Sequence, residues 1–171
     1  EVRSNYITLS IGGEPASGVD GDGTNGNLTM DFGLKGNLQL GNLVWVDLNN
    51  NGIRDNGELG ISGVTVNLYQ DVNGDNLPDG AAIASTTTSS SGSYGFSNLL
   101  PGNYIVGAVL PANYTIATTA GTSSNPNNDT DDDNNGVTTA SGEVRTNYIT
   151  LTTGGEPTGG TYNSTLDIAF K

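Results

Sequence analysis

The chain contains no cysteine and no histidine, and only 5 basic residues stand against 18 acidic ones, for a net charge of −13 over 171 residues. Without cysteine there are no disulfides, thiolate nucleophiles or thiolate-bound metals, and without histidine there is no imidazole catalysis or His-ligated zinc. The scarcity of Lys and Arg argues against binding to nucleic acid, whose phosphates call for clustered positive charge. No apolar run approaches the roughly 18–20 residues that span a bilayer, and no segment sustains the 3.6-residue period of an amphipathic helix. Large apolar side chains are also scarce. Leu, Ile, Val and Phe make up 38 of 171 residues, just above the roughly 20% below which a highly charged chain tends to stay disordered. Something besides an apolar core is expected to help hold such a chain together.

What the chain does have is an internal repeat. Glu1–Ser10 recurs as Glu143–Thr152, Gly12–Pro15 as Gly154–Pro157, and Leu28–Lys35 as Ser164–Lys171. The offset falls from 142 to 136, so six extra residues lie in the first copy, around Gly18–Asn27. Residues 1–35 therefore duplicate the end of a unit rather than its start. The expected organisation is one complete repeat over 36–171, preceded by the tail strands of another copy, which could equally serve as donor strands for a neighbour.

Short β-type runs fall between turn signals. The predicted strands are Asn5–Ile11, Leu28–Leu34, Leu38–Val46, Val64–Tyr69, Ala82–Thr88, Tyr94–Asn98, Asn103–Val109, Tyr114–Thr118, Thr146–Leu151 and Thr165–Phe170. Val64, Val66 and Leu68 alternate with Thr65, Asn67 and Tyr69, the pattern of a sheet with one buried face. With 26 glycines and abundant Asn to make turns, the fold class expected is an all-β sandwich with essentially no helix.

Three acidic clusters carry the functional signal. Asp47-Leu-Asn49-Asn-Asn51-Gly52-Ile53-Arg-Asp55-Asn-Gly-Glu58 fits a twelve-position calcium loop: oxygen side chains at 1, 3 and 5, Gly at 6, an acid at 9 and Glu at 12. Calcium takes six to eight hard oxygens, and a tight turn directs alternate side chains inward, with Ile53 offering its backbone carbonyl and Glu58 both carboxylate oxygens. An Asn-rich turn is the alternative. The second cluster, Asp71, Asn73, Asp75, Leu77 (by its carbonyl) and Asp79, repeats the spacing but has Ala82 at position 12; a solvated Asx turn competes with it. The third, Asp129, Asp131, Asp132 and Asp133, packs four carboxylates into five positions, so that it either holds a cation or forms a disordered acidic loop. A weaker fourth candidate is Asp20-Gly-Asp22-Gly-Thr-Asn25. Ten of the 18 acids fall in the first three loops. Three Ca²⁺ ions there would bring the charge from −13 to about −7 and relieve self-repulsion.

These residues resemble a known family. Gly41–Asp55, Gly60–Tyr69, Ser91–Leu99 with Leu100-Pro-Gly-Asn-Tyr104, and Asn128–Thr139 are similar to the B-type repeats of serine-aspartate-repeat bacterial surface proteins and the wider collagen-adhesin B-type group. The resemblance covers about Gly36–Lys171. It implies a Greek-key sandwich of transthyretin-like, immunoglobulin-like type with calcium-binding loops and about two to three Ca²⁺ per repeat. It also implies a place in an extracellular stalk or fibre at the bacterial cell surface, with neighbouring copies of the repeat as partners. One departure stands out. Related domains often carry a Lys–Asn isopeptide clip from the first strand, but Leu43–Val46 contains no lysine. Metal clips are expected to replace the covalent one, and a mass lower by one ammonia would contradict this.

Three functions compete. The first is a calcium-stiffened structural repeat, in a covalent array or a strand-exchange polymer. The second is an adhesive module recognising host protein or glycan through loops, with Tyr69, Tyr114 and Tyr162 as exposed contacts. The third is a two-carboxylate glycosidase. The acids concentrate in the loops and the repeated tails, so no enzyme is expected.

Overall fold

The chain divides into two compact units, Glu1–Leu34 and Lys35–Lys171. A computed structural model describes residues 3, 5, 36–117, 125–137 and 142–171, so the architecture below is that of the second unit. The expected strands Asn5–Ile11 and Leu28–Leu34 and the cluster Asp20–Asn25 lie outside the described residues, apart from Asn5 itself.

Among the described residues ten strands form two sheets: β1 Leu38–Val46, β2 Thr65–Gln70, β3 Ala84–Thr87, β4 Ser93–Leu99, β5 Gly102–Val109, β6 Gly136–Val137, β7 Glu143–Thr146, β8 Ile149–Leu151, β9 Tyr162–Asn163 and β10 Ile168–Phe170. One sheet runs β10-β1-β4, with β9 also on β1; the other runs β3-β2-β5-β7-β6, with β8 also on β5. Two 3-10 turns, Pro126–Asn128 and Pro157–Gly159, complete the described structure. No helix among the described residues is long and apolar enough to cross a membrane.

The core lies between the sheets. Leu38, Leu40, Val44, Tyr94, Phe96, Leu166, Ile168 and Phe170 meet Val66, Leu68, Tyr104, Val106, Val144, Ile149 and Leu151 in one buried cluster. β1 is covered on both faces: its odd residues Leu43 and Trp45 pack with Ala169 and Ala117 on the outer side. The strands approach too closely at Gly41 to admit a side chain, because a Cβ there would lie 2.3 Å from the Tyr94 carbonyl oxygen.

The pairing of β1 sets the polarity of the unit. β10 runs parallel to it, with Val44 opposite Ile168 and Val46 opposite Phe170. The chain therefore enters at the Leu38 end and leaves at the Val46 end. Nine residues at about 3.3 Å each put these ends roughly 30 Å apart. The Leu38 end also carries the β4–β5 turn, since Leu38 pairs with Leu99.

Several strands differ from expectation for local reasons. The run Thr146–Leu151 breaks into β7 and β8, which pair with separate stretches of β5. At the break the Thr146 hydroxyl accepts from the Val106 amide, and the Tyr148 amide donates to Asn76 Oδ1, far away in sequence. Tyr114–Thr118 reduces, among the described residues, to Ile116 bridging Phe170, with Thr115 and Lys171 exchanging backbone hydrogen bonds. β6 and β9, two residues each, were not expected. Tyr69 is not an exposed contact: it is buried, its hydroxyl donates to Glu143, and the Arg145 guanidinium lies 4.7 Å above its ring. Glu143 also accepts from Asn67 Nδ2 and Arg145 Nε. The acid of the repeated Glu-Val-Arg is thus a structural ion-pair member on the outer side of the larger sheet.

Candidate metal centres

The first loop starts where β1 ends. Asp47 is fully buried, and its carboxylate accepts from the amides of Asn51 and Gly52. Asn49 Oδ1 accepts from the Asn51 amide, and Asn51 Oδ1 from the Ile53 amide. These steps wrap the chain into a turn that requires left-handed backbone at Asn50 (φ 59°) and Gly52 (φ 77°), conformations that Asn and Gly tolerate best. The side-chain Nδ2 groups of Asn49 and Asn51 both donate to Asp55 Oδ2, at 2.7 and 2.9 Å. Glu58 closes the loop, accepting from the Leu48 and Asp55 amides.

The second loop follows β2 and repeats this construction. Asp71 is fully buried and accepts from the amides of Gly74, Asp75 and Asn76. Asn73 Oδ1 accepts from the Asp75 amide and Asp75 Oδ1 from the Leu77 amide. Positions 4 and 6 are again left-handed, at Gly74 (φ 74°) and Asn76 (φ 65°). Asp79 folds back onto the amides of Val72 and Asn73. Two loops without a shared glycine position thus adopt one ladder of turns, which turns alternate oxygen side chains to the same side.

The third loop packs against the first. Ile53 bridges Asp133, the Arg54 amide donates to the Asp132 carbonyl, the Asn134 amide donates to the Gly52 carbonyl, and Arg54 pairs with Asp132 at 3.1 Å. Asp131 accepts from Asn42 Nδ2 at 2.6 Å. The same amide reaches Asp167 Oδ2 at 3.3 Å, and Asp167 also accepts from the Leu43 and Asp132 amides. Asp129 is exposed on a left-handed turn (φ 55°). Asp167, not singled out from the sequence, is the acid that lies beside Asp131. The available signal was a lone acid in an apolar terminal strand, matched by Asp31 in the repeat.

Burial dominates the electrostatics here. It pushes the Asp167 carboxyl up to about 8, with the Asp131 and Asp132 charges adding to the effect. Burial likewise raises Asp133 to about 6, and Asp131 contributes; the hydrogen bond from Asn135 opposes the shift. Asp133 Oδ2 is buried without a hydrogen-bond partner. An acid whose folded pKa lies above its unfolded value near 3.9 supplies stability at low pH and loses it as pH rises through the folded pKa. Asp167 thus favours the calcium-free fold below pH 4 and loses that contribution between about 4 and 8. Carboxyl carbon NMR in chelator should show Asp167 titrating near pH 8; a midpoint near 4 would contradict the burial argument.

Among the described residues no three carboxylates converge as a ready-made metal cluster. The donor sets are instead mixed, combining carboxylate, carboxamide and main-chain oxygens. That chemistry suits a hard cation of flexible coordination. It suits neither zinc nor copper, which favour nitrogen and sulfur.

The loops stand at opposite ends of the unit. The first and third lie at the Val46 end, where the Asp47 amide donates to the Phe170 carbonyl. The second lies at the Leu38 end, where the Asp71 amide donates to the Asn103 carbonyl.

Comparison with known proteins agrees with this architecture. The SdrD B-like domain matches residues 38–156. Serine-aspartate repeat-containing protein D of Staphylococcus aureus (strain Newman) is 34% identical over 163 residues, covering 90% of this chain and 12% of that protein. Serine-aspartate repeat-containing protein F of Staphylococcus epidermidis is 43% identical over 114 residues, covering 66% of this chain and 6% of that protein. The chain thus spans a small fraction of the length of these relatives. It belongs to the SdrD B-like domain family.

Proposed function

We propose that the chain is a calcium-stabilised structural repeat, a rigid spacer in an extracellular bacterial surface stalk or filament built from copies in series. The matched ladders of the first two loops carry this reading. Asp47, Asn49, Asn51, Ile53 by its carbonyl, Asp55 and Glu58 would hold one ion; Asp71, Asn73, Asp75, Leu77 by its carbonyl and Asp79 would hold another. Asp131 and Asp133, with Asp167 beside them, are the donors for a third; Asp129 has less support. The Asn49 and Asn51 side-chain Nδ2 groups donate to Asp55, and an ion would replace them as the carboxylate's positive partner. The ion supplies charge neutralisation and a crosslink among turns that otherwise hold only local hydrogen bonds.

The polarity of the fold supports the spacer role. A chain that enters at one end of a sandwich and leaves at the other can be strung in series without doubling back. Parallel pairing also bears on the duplicated segment. Ile168–Phe170 lies beside Val44–Val46 and fills the parallel position on β1. Leu28–Lys35, whose sequence matches Ser164–Lys171, would find that position taken in this unit and would serve another copy, in a covalent array or in strand exchange. Subunit mass under denaturing conditions separates the two.

Calorimetric titration tests the sites. Asp47→Ala should remove one binding event and Asp71→Ala a different one, each leaving the other intact. Unchanged stoichiometry in both variants would sink the assignment.

A further inference from the structure

The two ends of the unit share a feature that the calcium reading does not use. Each exposes large apolar side chains among its acids. At the Val46 end these are Leu48, Ile53 and Leu59, the last 72% exposed; at the Leu38 end they are Val72, Leu77 and Leu100, with Val72 77% exposed. Val72 borders a groove with Pro101 and Asn103, and Leu59 borders one with Arg54 and Asn56. None of these side chains joins the core cluster of the unit.

We propose that these ends are mutual docking surfaces: the Val46 end of one copy seats on the Leu38 end of the next, with calcium in the loops as a condition of contact. This deepens the structural-repeat reading and rests on it.

Three observations select a second copy as the occupant. The first is chain polarity, which brings the exit of one unit to the entrance of its successor. The second is spacing. The unit's final Thr165–Lys171 recurs as Thr29–Lys35, so that Gly36 and Asn37 alone separate a terminal lysine from the next β1. That spacer is held down, because a Cβ at Gly36 would lie 2.3 Å from the Leu99 carbonyl oxygen. The third is charge. Arg54 and Lys171, two of the five basic residues, stand at the Val46 end, whereas the second loop exposes Asp75 and Asp79. The Val46 end nevertheless remains acidic overall, with Asp47, Asp55, Glu58 and Asp131–Asp133. Without cations the two ends repel; with them the like charge is reduced and the apolar contacts can close.

Tethering in series raises the effective concentration of one end at the next to about millimolar, so a contact that is weak between separate chains suffices in an array. Paramagnetic relaxation detects such weak contacts, and the absence of cysteine permits a single label. A spin label on Asn56→Cys is mixed with isotope-labelled, unsubstituted chain in calcium. The amides of Val72, Leu77 and Leu100 should lose most of their intensity, and chelator should restore it. Val72→Asp in the observed chain, or separately Leu59→Asp in the labelled one, should also restore it; both side chains are exposed, so the remaining spectrum should not move. Loss centred on the β3 edge near Thr87, loss persisting in chelator, or no loss would overturn the proposal. Calorimetry on the same samples keeps the two readings apart: calcium binding without intensity loss overturns docking alone, and no calcium binding overturns the metal reading itself.

Discussion

Removing calcium with EDTA should lower the melting temperature of the chain by roughly 15–20 °C. A ligand that binds only the folded state stabilises it by about 2.7 kcal/mol at a hundredfold excess over its Kd. Two loops held so contribute about 5 kcal/mol, and a domain of this size shifts by about 3–4 °C per kcal/mol. The folded-state preference follows from the ladders: the oxygens of Asp47, Asn49 and Asn51 share one side only after Asn50 and Gly52 take left-handed backbone. Calcium should restore the transition, and magnesium at equal concentration should not, because mixed carboxamide and main-chain donors fit a large ion of flexible coordination better than a small octahedral one. A melting curve indifferent to EDTA would remove the metal from the account.

Deleting Leu166–Lys171 should abolish cooperative folding. Leu166, Ile168 and Phe170 are fully buried. Truncating one such side chain costs about 2–5 kcal/mol, so the three together approach or exceed the 5–15 kcal/mol that typically holds a whole domain. The deletion also strips β1 of its parallel partner and leaves Asn134 and Asn135 without the Ala169 and Asp167 backbone groups they bond. A peptide of Ser164–Lys171 added in excess should restore the native amide spectrum, and one of Leu28–Lys35 should do so more weakly, since Gly33 and Leu34 replace Ala169 and Phe170. A truncated chain that still melts cooperatively would show that β10 is dispensable.

Much of this architecture was legible because it is local. The limits of β1 follow from the apolar-rich run Leu38–Val46 between turn signals, and the first two loops follow from side chains spaced two apart around an Asn or Gly that turns the backbone. What escaped was made by distant partners. The division of Thr146–Leu151 depends on Asn76, more than seventy residues earlier. The environment of Asp167 comes from Asn42 and Asp132. Ile53 and Asp133 meet across eighty residues that carry no pattern linking them. Tyr69 looked like an exposed strand residue because its period-two position faces outward, but Glu143 and Arg145 cover that face.

The parallel pairing of β1 and β10 also decides how the unit bears tension. A pull on the chain acts on β1 at Leu38 and on β10 at Phe170, from opposite ends of two strands pointing the same way. The strands must slide past one another, so the bonds between Val44–Val46 and Ile168–Phe170 are loaded together in shear rather than opened singly. The first acidic loop begins at Asp47, one residue beyond this clamp, and its amide is bonded to the Phe170 carbonyl. The mechanical strength of the unit thus resides at the end that carries the first and third acidic loops.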